Sequence, residues 1–232
     1  MRDEIRDALA NDGDRYHASN HDGIGTIADP VFEALEEIHR VTRISAVLEI
    51  GCTTGFRLEK CRQQFQANCA GLDVSPAAIT EGRSLYPELR LELGVAPRGL
   101  QAWDEHTFDA VVLGHFLHLF PREHLFEIAA QVDRVLRPGG HIVVMDFLFP
   151  YESQLDYHHH AELGLYKGNP TRPWLWHPSY ALVGRRVYEL AGDPSEAQDP
   201  RSWQTVDVVR KLSIDESYPA ANGLPSRHAK DD

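Results

Sequence analysis

The stretch AVLEIGCTTG, residues 46–55, constrains the fold of this chain more than any other. Four apolar residues (Ala46, Val47, Leu48, Ile50) surround Glu49 and break into a turn of small residues. Such a run, closed by glycines and followed by helix-compatible residues 56–66, reads as a buried parallel strand turning sharply into a helix. Gly51 and Gly55 let the backbone approach a ligand, and the helix N-terminus offers N–H groups without intrahelical partners. Glycine turns after strands are common, so the rest of the chain must say what this one is for.

Strand and helix patterns alternate downstream. Strands are expected at residues 46–50, 69–74 (CAGLDV), 89–93, 108–113 (FDAVVL) and 141–146 (HIVVMD). Helices are expected at 56–66, 77–86 and 122–136, the last ended by Pro138-Gly139-Gly140. Strands separated by helices imply right-handed βαβ units and a mainly parallel sheet covered on both faces. Residues 181–190 and 204–212 then read as two strands without an intervening helix, an antiparallel pair at the sheet edge.

The flanking segments differ in texture. Residues 1–42 read as two helical stretches around a polar loop, DRYHASNHDG at 14–23; Asp29-Pro30 opens the second as a capped helix. Residues 151–180 are rich in aromatics and histidine, with YHHH at 157–160 and PWLWHPSY at 173–180, and are too irregular for another βα unit. By texture the chain divides into a helical segment (1–42), an α/β core (43–150), an aromatic and histidine-rich segment (151–180), a terminal strand pair (181–213) and a flexible tail (214–232); the loop at 14–23 reads as a lid over a ligand or as a solvated loop.

The 232 residues carry a formal net charge of -12 and no long basic cluster, which disfavours a nucleic-acid backbone as partner. Three cysteines (Cys52, Cys61, Cys69) lack metal-ligand spacing and read as reduced thiols of a cytoplasmic protein. The charged N-terminus has no signal-peptide core, and no apolar run is long enough to span a membrane.

The ordered set EIGCTTG, GLDVS, FDAVVLGHFLH and LRPGGHIVVMDF resembles the class I S-adenosylmethionine-dependent methyltransferases over residues 40–150. The resemblance implies a Rossmann-like, mainly parallel seven-stranded sheet with helices on both faces and an antiparallel last strand, with residues 1–42 as a helical lid, 43–150 as the S-adenosylmethionine-binding core and 151–180 as the segment covering the substrate. It implies S-adenosylmethionine as cofactor, with Glu49, Gly51, Cys52, Thr53 and Gly55 around the methionine portion. Asp73 would accept the ribose hydroxyls, the logic of dinucleotide folds. Val74 and Ser75 would flank the adenine, with Val95 and Ala96 beside it; Gly114 and His115 would border the methyl-transfer zone. Two departures stand out. Thr53 replaces a common glycine and is expected to need φ < 0, altering the turn. Val95 stands where the family often has Asp, leaving adenine to backbone groups and apolar packing. A nicotinamide dehydrogenase uses G-x-G-x-x-G without an acid two residues before it, whereas this chain has G-C-T-T-G.

Methyl transfer from a sulfonium is an in-line displacement, needing positioning, a dry pocket and a base where the acceptor loses a proton. His118 and His115 follow the fourth strand and are the candidate bases, although His118 also reads as a partly buried polar residue opening a helix. Tyr16, Tyr157, His158, His159, Trp174 and Tyr180 are candidate acceptor contacts. Three adjacent histidines at 158–160 point in different directions along a chain, so no metal is expected. The expected acceptor is a small molecule of sugar or specialised-metabolite biosynthesis, with oxygen ranked before nitrogen and carbon. The alternatives are a macromolecular acceptor (protein or tRNA) and a non-catalytic cofactor-binding subunit. The N-terminal helices and residues 150–190 are the surfaces through which two copies could pair.

Overall fold

A computed structural model describes residues 3–20, 29–157, 163–189 and 202–219. The elements in chain order are α1 (Asp3–Asn20), α2 (Pro30–Val41), β1 (Ala46–Ile50), α3 (Phe56–Phe65), β2 (Asn68–Asp73), α4 (Pro76–Leu85), β3 (Arg90–Leu93) and β4 (Phe108–Gly114). Then follow α5 (Arg122–Val135), β5 (Leu136–Phe147), β6 (Ser153–Asp156), β7 (Gly164–Lys167), α6 (Arg172–Leu175), β8 (Tyr180–Glu189), β9 (Trp203–Lys211) and α7 (Ile214–Ser217).

Seven strands form one sheet in the order β3-β2-β1-β4-β5-β9-β8. The pairs from β3 through β5 are parallel, while β9 runs antiparallel to both β5 and β8. All five residues of β1 are buried, as its central place demands. Their side chains alternate between two cores. Ala46, Leu48 and Ile50 join Leu113, Ile128 and Val132 on one face. Val47 joins Val31, Leu35, Leu58 and Val112 on the other. Strand order reverses between β1 and β4, and open α/β sheets bind ligands in the crevice that opens at such a point.

Local chemistry sets the helix starts beside that crevice. Asp29 caps α2, one oxygen accepting the Val31 and Phe32 amides at 3.1 Å, with Pro30 in the first turn. Ser75 caps α4 by accepting the Ala78 amide at 3.0 Å. Gly55 opens α3 at φ 84°; a Cβ there would also lie 2.9 Å from Leu89 Cδ1. Glycine answers both demands.

Three expectations need correction. Residues 14–20 belong to α1 rather than to a loop. Their polar side chains are taken up by α4: Asp14 accepts the Ser75 hydroxyl, and His17 pairs with Glu81 at 2.9 Å. The rest of that expected loop, 21–23, lies outside the described residues. Thr53 stands at φ 49°, the left-handed conformation that a glycine would take. Its amide donates to Asp73 Oδ2 at 2.8 Å, a tertiary hydrogen bond that holds the conformation. Finally, residues 151–180 contain a β6–β7 antiparallel hairpin and the short α6. Trp174 is 2% exposed and anchors this insertion in the core. Thr171 ties it to β9, its hydroxyl donating at 2.9 Å to buried Asp207, which Arg185 also clasps with two nitrogens.

Candidate functional site

The carboxyl ends of β1, β2, β4 and β5 meet in one crevice. At the end of β1, Glu49 is 2% exposed. Its Oε1 accepts from Arg57, whose Nε donates at 2.7 Å to the second oxygen of Asp29. Its Oε2 is buried without a hydrogen-bond partner among the described residues. Burial pushes the Glu49 carboxyl up to about 7, against the opposing pull of Arg57. An unpartnered buried acceptor is costly and calls for a donor brought by a ligand. Thr53 Oγ1, on the adjoining turn, is likewise buried without a partner.

Asp73 ends β2. Its two oxygens accept the Thr53 and Ser75 amides, both at 2.8 Å, so each keeps a lone pair for another donor. Burial raises its carboxyl, and those amides work in the opposite direction. Val74 lies half-buried at 3.3 Å from a Cβ position on Gly13 of α1. Val95 and the buried Ala96 follow β3 and join the same core as β1. Cys52 contributes only backbone to the crevice. Its thiol turns into the core against Gly71, where a Cβ would sit 2.5 Å from the sulfur.

β4 and β5 supply the polar centre. Gly114 pairs with Met145 in register, so residues following β4 face Asp146 near the end of β5. His118 lies in a 3₁₀ turn, Leu117–Leu119. Its Nδ1 is 2.8 Å from Asp146 Oδ1, which also accepts the Phe147 amide at 2.7 Å. Asp146 Oδ2 accepts the Leu117 and His118 amides at 2.9 and 3.2 Å. The carboxylate is therefore saturated by donors, which assigns the proton to Nδ1 of His118 and leaves Nε2 as the acceptor. Burial would raise the Asp146 carboxyl, but the charge and hydrogen bond of His118 outweigh it and hold it below the ordinary range. His115, at φ 49°, stacks edge-on to His118 with centroids 6.4 Å apart. Burial lowers its pKa, against the opposing pull of the Asp146 charge.

Ligand atoms of His115, His118 and Asp146 lie within 4.8 Å of one another, a donor set that suits a divalent metal in kind. The four donors already on Asp146 would have to yield first. His118 and Asp146 also line a cavity of about 930 Å³ whose walls include Leu125, Phe147, Lys167 and Trp176.

The expected acceptor contacts scatter. Trp174 is in the core. Tyr180 donates its hydroxyl to Asp133 of α5, and Tyr157 donates to both oxygens of Asp12 of α1 at 3.0 Å. Tyr16 is 52% exposed, and His158 and His159 lie outside the described residues. Sequence reasoning missed Arg57, Asp146 as a partner of His118, and Lys167. For Asp146 a signal existed: it is the acid at the carboxyl end of an apolar parallel strand, the same placement as Glu49 and Asp73.

Residues 47–140 match the family model described as a methyltransferase domain. The chain is 34% identical over 103 residues to phthiotriol/phenolphthiotriol dimycocerosates methyltransferase of Mycobacterium leprae, covering 43% of this chain and 37% of that protein. It is 28% identical over 155 residues to hybrid PKS-NRPS synthetase apdA of Emericella nidulans, covering 63% of this chain and 4% of that protein. The chain thus spans well under half the length of these curated relatives. Among solved structures, 1,6-didemethyltoxoflavin-N1-methyltransferase of Burkholderia thailandensis, with bound 1,6-didemethyltoxoflavin and S-adenosylhomocysteine, superposes with a TM-score of 0.64 at 16% identity. That match covers 92% of this chain and 91% of the other. A SAM-dependent methyltransferase of Methanosarcina mazei gives 0.57 at 16% identity, covering 76% and 97%. These two likenesses show a shared fold.

Proposed function

We propose that the chain is a class I S-adenosylmethionine-dependent methyltransferase, as its match to a methyltransferase domain over residues 47–140 supports, and that it methylates a small molecule, foremost at oxygen, with His118 as general base. The observation that carries this reading is the His118–Asp146 pair lining a large, mainly apolar cavity beside the crevice.

The cofactor fits the residues present. Unpartnered Glu49 Oε2 suits the amino group of a methionine moiety, and Arg57 orients that carboxylate. Asp73 retains lone pairs for two ribose hydroxyls. Val74, Ser75, Val95 and Ala96 would flank the adenine, and Gly51, Gly55, Gly114 and His115 the methionine tail. S-adenosylmethionine, when bound, supplies an electrophilic methyl group on a sulfonium centre. His118 Nε2 would take the acceptor's proton, and Asp146 would hold the ring in place and stabilise the imidazolium that results. An imidazole base favours an acceptor whose hydroxyl is itself acidic, a phenol or enol rather than an alkyl alcohol.

Relatives named for phthiotriol dimycocerosates and for a toxoflavin precursor support a small acceptor of specialised metabolism. The net charge of -12 argues against a nucleic acid. No helix among the described residues is long and apolar enough to cross a membrane, and cytoplasmic residence goes with this reading, as do the three free cysteines. We assign residues 1–42 to a cover over the cofactor and 151–180 to the acceptor wall.

The test is homocysteine release with S-adenosylmethionine and a panel of phenols, enols and arylamines, with and without EDTA. His118→Ala is expected to lower kcat by about 10²–10⁴-fold while S-adenosylhomocysteine binding stays unchanged by calorimetry. Turnover intact in that variant would sink the base assignment, and loss of turnover in EDTA would replace it with a metal. No S-adenosylhomocysteine binding by the wild type would sink the methyltransferase reading itself.

A further inference from the structure

Lys167, the last residue of β7, lines the same cavity as His118. Its ammonium lies 3.8 Å from the Phe147 ring centroid and 5.3 Å from that of Phe149. Among the described residues no carboxylate pairs with it and no oxygen accepts a hydrogen bond from it. Burial against these rings lowers its pKa, and the charge of Asp146 acts against that fall. Asp146 cannot serve as its direct partner, since both oxygens are already filled by four other donors.

The other charged pair on the wall is self-satisfied. Arg172 Nη1 donates to Glu152 Oε1 at 2.5 Å, and both side chains are more than half exposed at the rim. Most of the remaining wall is apolar, including Leu117, Leu125, Phe126 and Pro170. A cation in such a wall attracts an anion strongly, because low-dielectric walls weaken its screening. Phe147 links this cation to the candidate base, for the His118 ring lies 4.9 Å from the same Phe147 centroid. The two groups are thus separated by no more than those two centroid distances together, within the span of one small aromatic molecule.

We propose that Lys167 anchors a carboxylate on the methyl acceptor, so that the cavity selects an apolar, singly anionic acid and presents its other end to His118. This rests on the methyltransferase reading for the word acceptor, but anion recognition by the cavity is measurable without turnover. It also separates two functions along β4–β7. His118 acts on the reacting hydroxyl, while Lys167 acts on a non-reacting group and spends its binding on position.

The experiment uses the full chain saturated with S-adenosylhomocysteine, 2-naphthoate and the neutral 2-naphthamide as probes, and calorimetry with quenching of the cavity residue Trp176 as readouts. Wild type is expected to bind naphthoate at least tenfold more tightly than naphthamide. Lys167→Met should bring naphthoate down to the amide's affinity and leave naphthamide unchanged, while Lys167→Arg keeps the preference. Equal binding of the two probes by wild type, binding of neither, or a preference that survives in Lys167→Met would overturn the proposal. Normal S-adenosylhomocysteine binding by the variants certifies their fold. Failure of wild type to bind that nucleoside would count against the methyltransferase reading alone, since the two probes can be compared without it.

Discussion

Thr53 offers a quantitative test of how the glycine turn is held. It is a β-branched residue at φ 49° in a conformation that costs an L-residue about 1–2 kcal/mol. Glycine removes that cost but gives the unfolded chain more freedom, a penalty of about 0.4–1 kcal/mol. The side chain complicates the comparison, because Oγ1 is buried without a partner and its removal is favourable whichever residue replaces it. Alanine therefore serves as the reference. Thr53→Ala and Thr53→Gly both lose the hydroxyl and the methyl, and both keep the amide that donates to Asp73 at 2.8 Å. They differ in whether a Cβ must tolerate positive φ. The glycine variant is expected to be more stable than the alanine variant by about 0.5–1 kcal/mol, the difference of the two terms above. For a chain of this size that is about 1–4 °C in Tm. Urea unfolding with a shared m value measures it directly. A glycine variant equal to or less stable than the alanine variant would refute the claim that the Thr53 backbone is strained.

Other expectations follow from the buried acids. Asp73→Ala removes the partner of two amides and the proposed ribose acceptor, and should weaken S-adenosylhomocysteine binding by about 100-fold, the scale of two charge-assisted hydrogen bonds; calorimetry decides. Asp146→Asn sets an NH₂ group against amides that all donate, so unfolding stability should fall by about 1–3 kcal/mol, with kcat lowered alongside. Glu49 binds a proton in the fold up to about pH 7 but only to about 4.5 when unfolded. Between those values the folded state carries more protons, so this group makes stability decline as pH rises. Glu49→Gln removes that component, and the stability of wild type minus variant should drop from pH 5 to pH 7.5 in cofactor-free urea titrations. A flat difference would contradict the burial assigned to Glu49.

The sequence by itself determined the parallel sheet, its antiparallel ending, the glycine turn and the placing of Glu49 and Asp73. These follow from short-range rules: strand burial makes an apolar run, helix starts need caps such as Asp29 and Ser75, and acids at strand ends need no partner to be noticed. His118 and His115 were legible for the same reason, as polar residues just past β4. Tertiary structure alone decided what those residues touch. The partnership of His118 with Asp146 depends on β4 lying beside β5, a pairing 28 residues apart in sequence for those two side chains. Thr53 takes a glycine's conformation because Asp73, from another strand, binds its amide. Residues 14–20 are helical because α4 offers partners to Asp14 and His17, which local propensity cannot report. The cavity that Lys167 lines exists only because an aromatic-rich insertion folds as a hairpin beside the turn after β4 and the end of β5. Long-range hydrogen bonds and burial leave no periodic mark on the chain that makes them, and they are what turned a recognisable fold into a particular pocket.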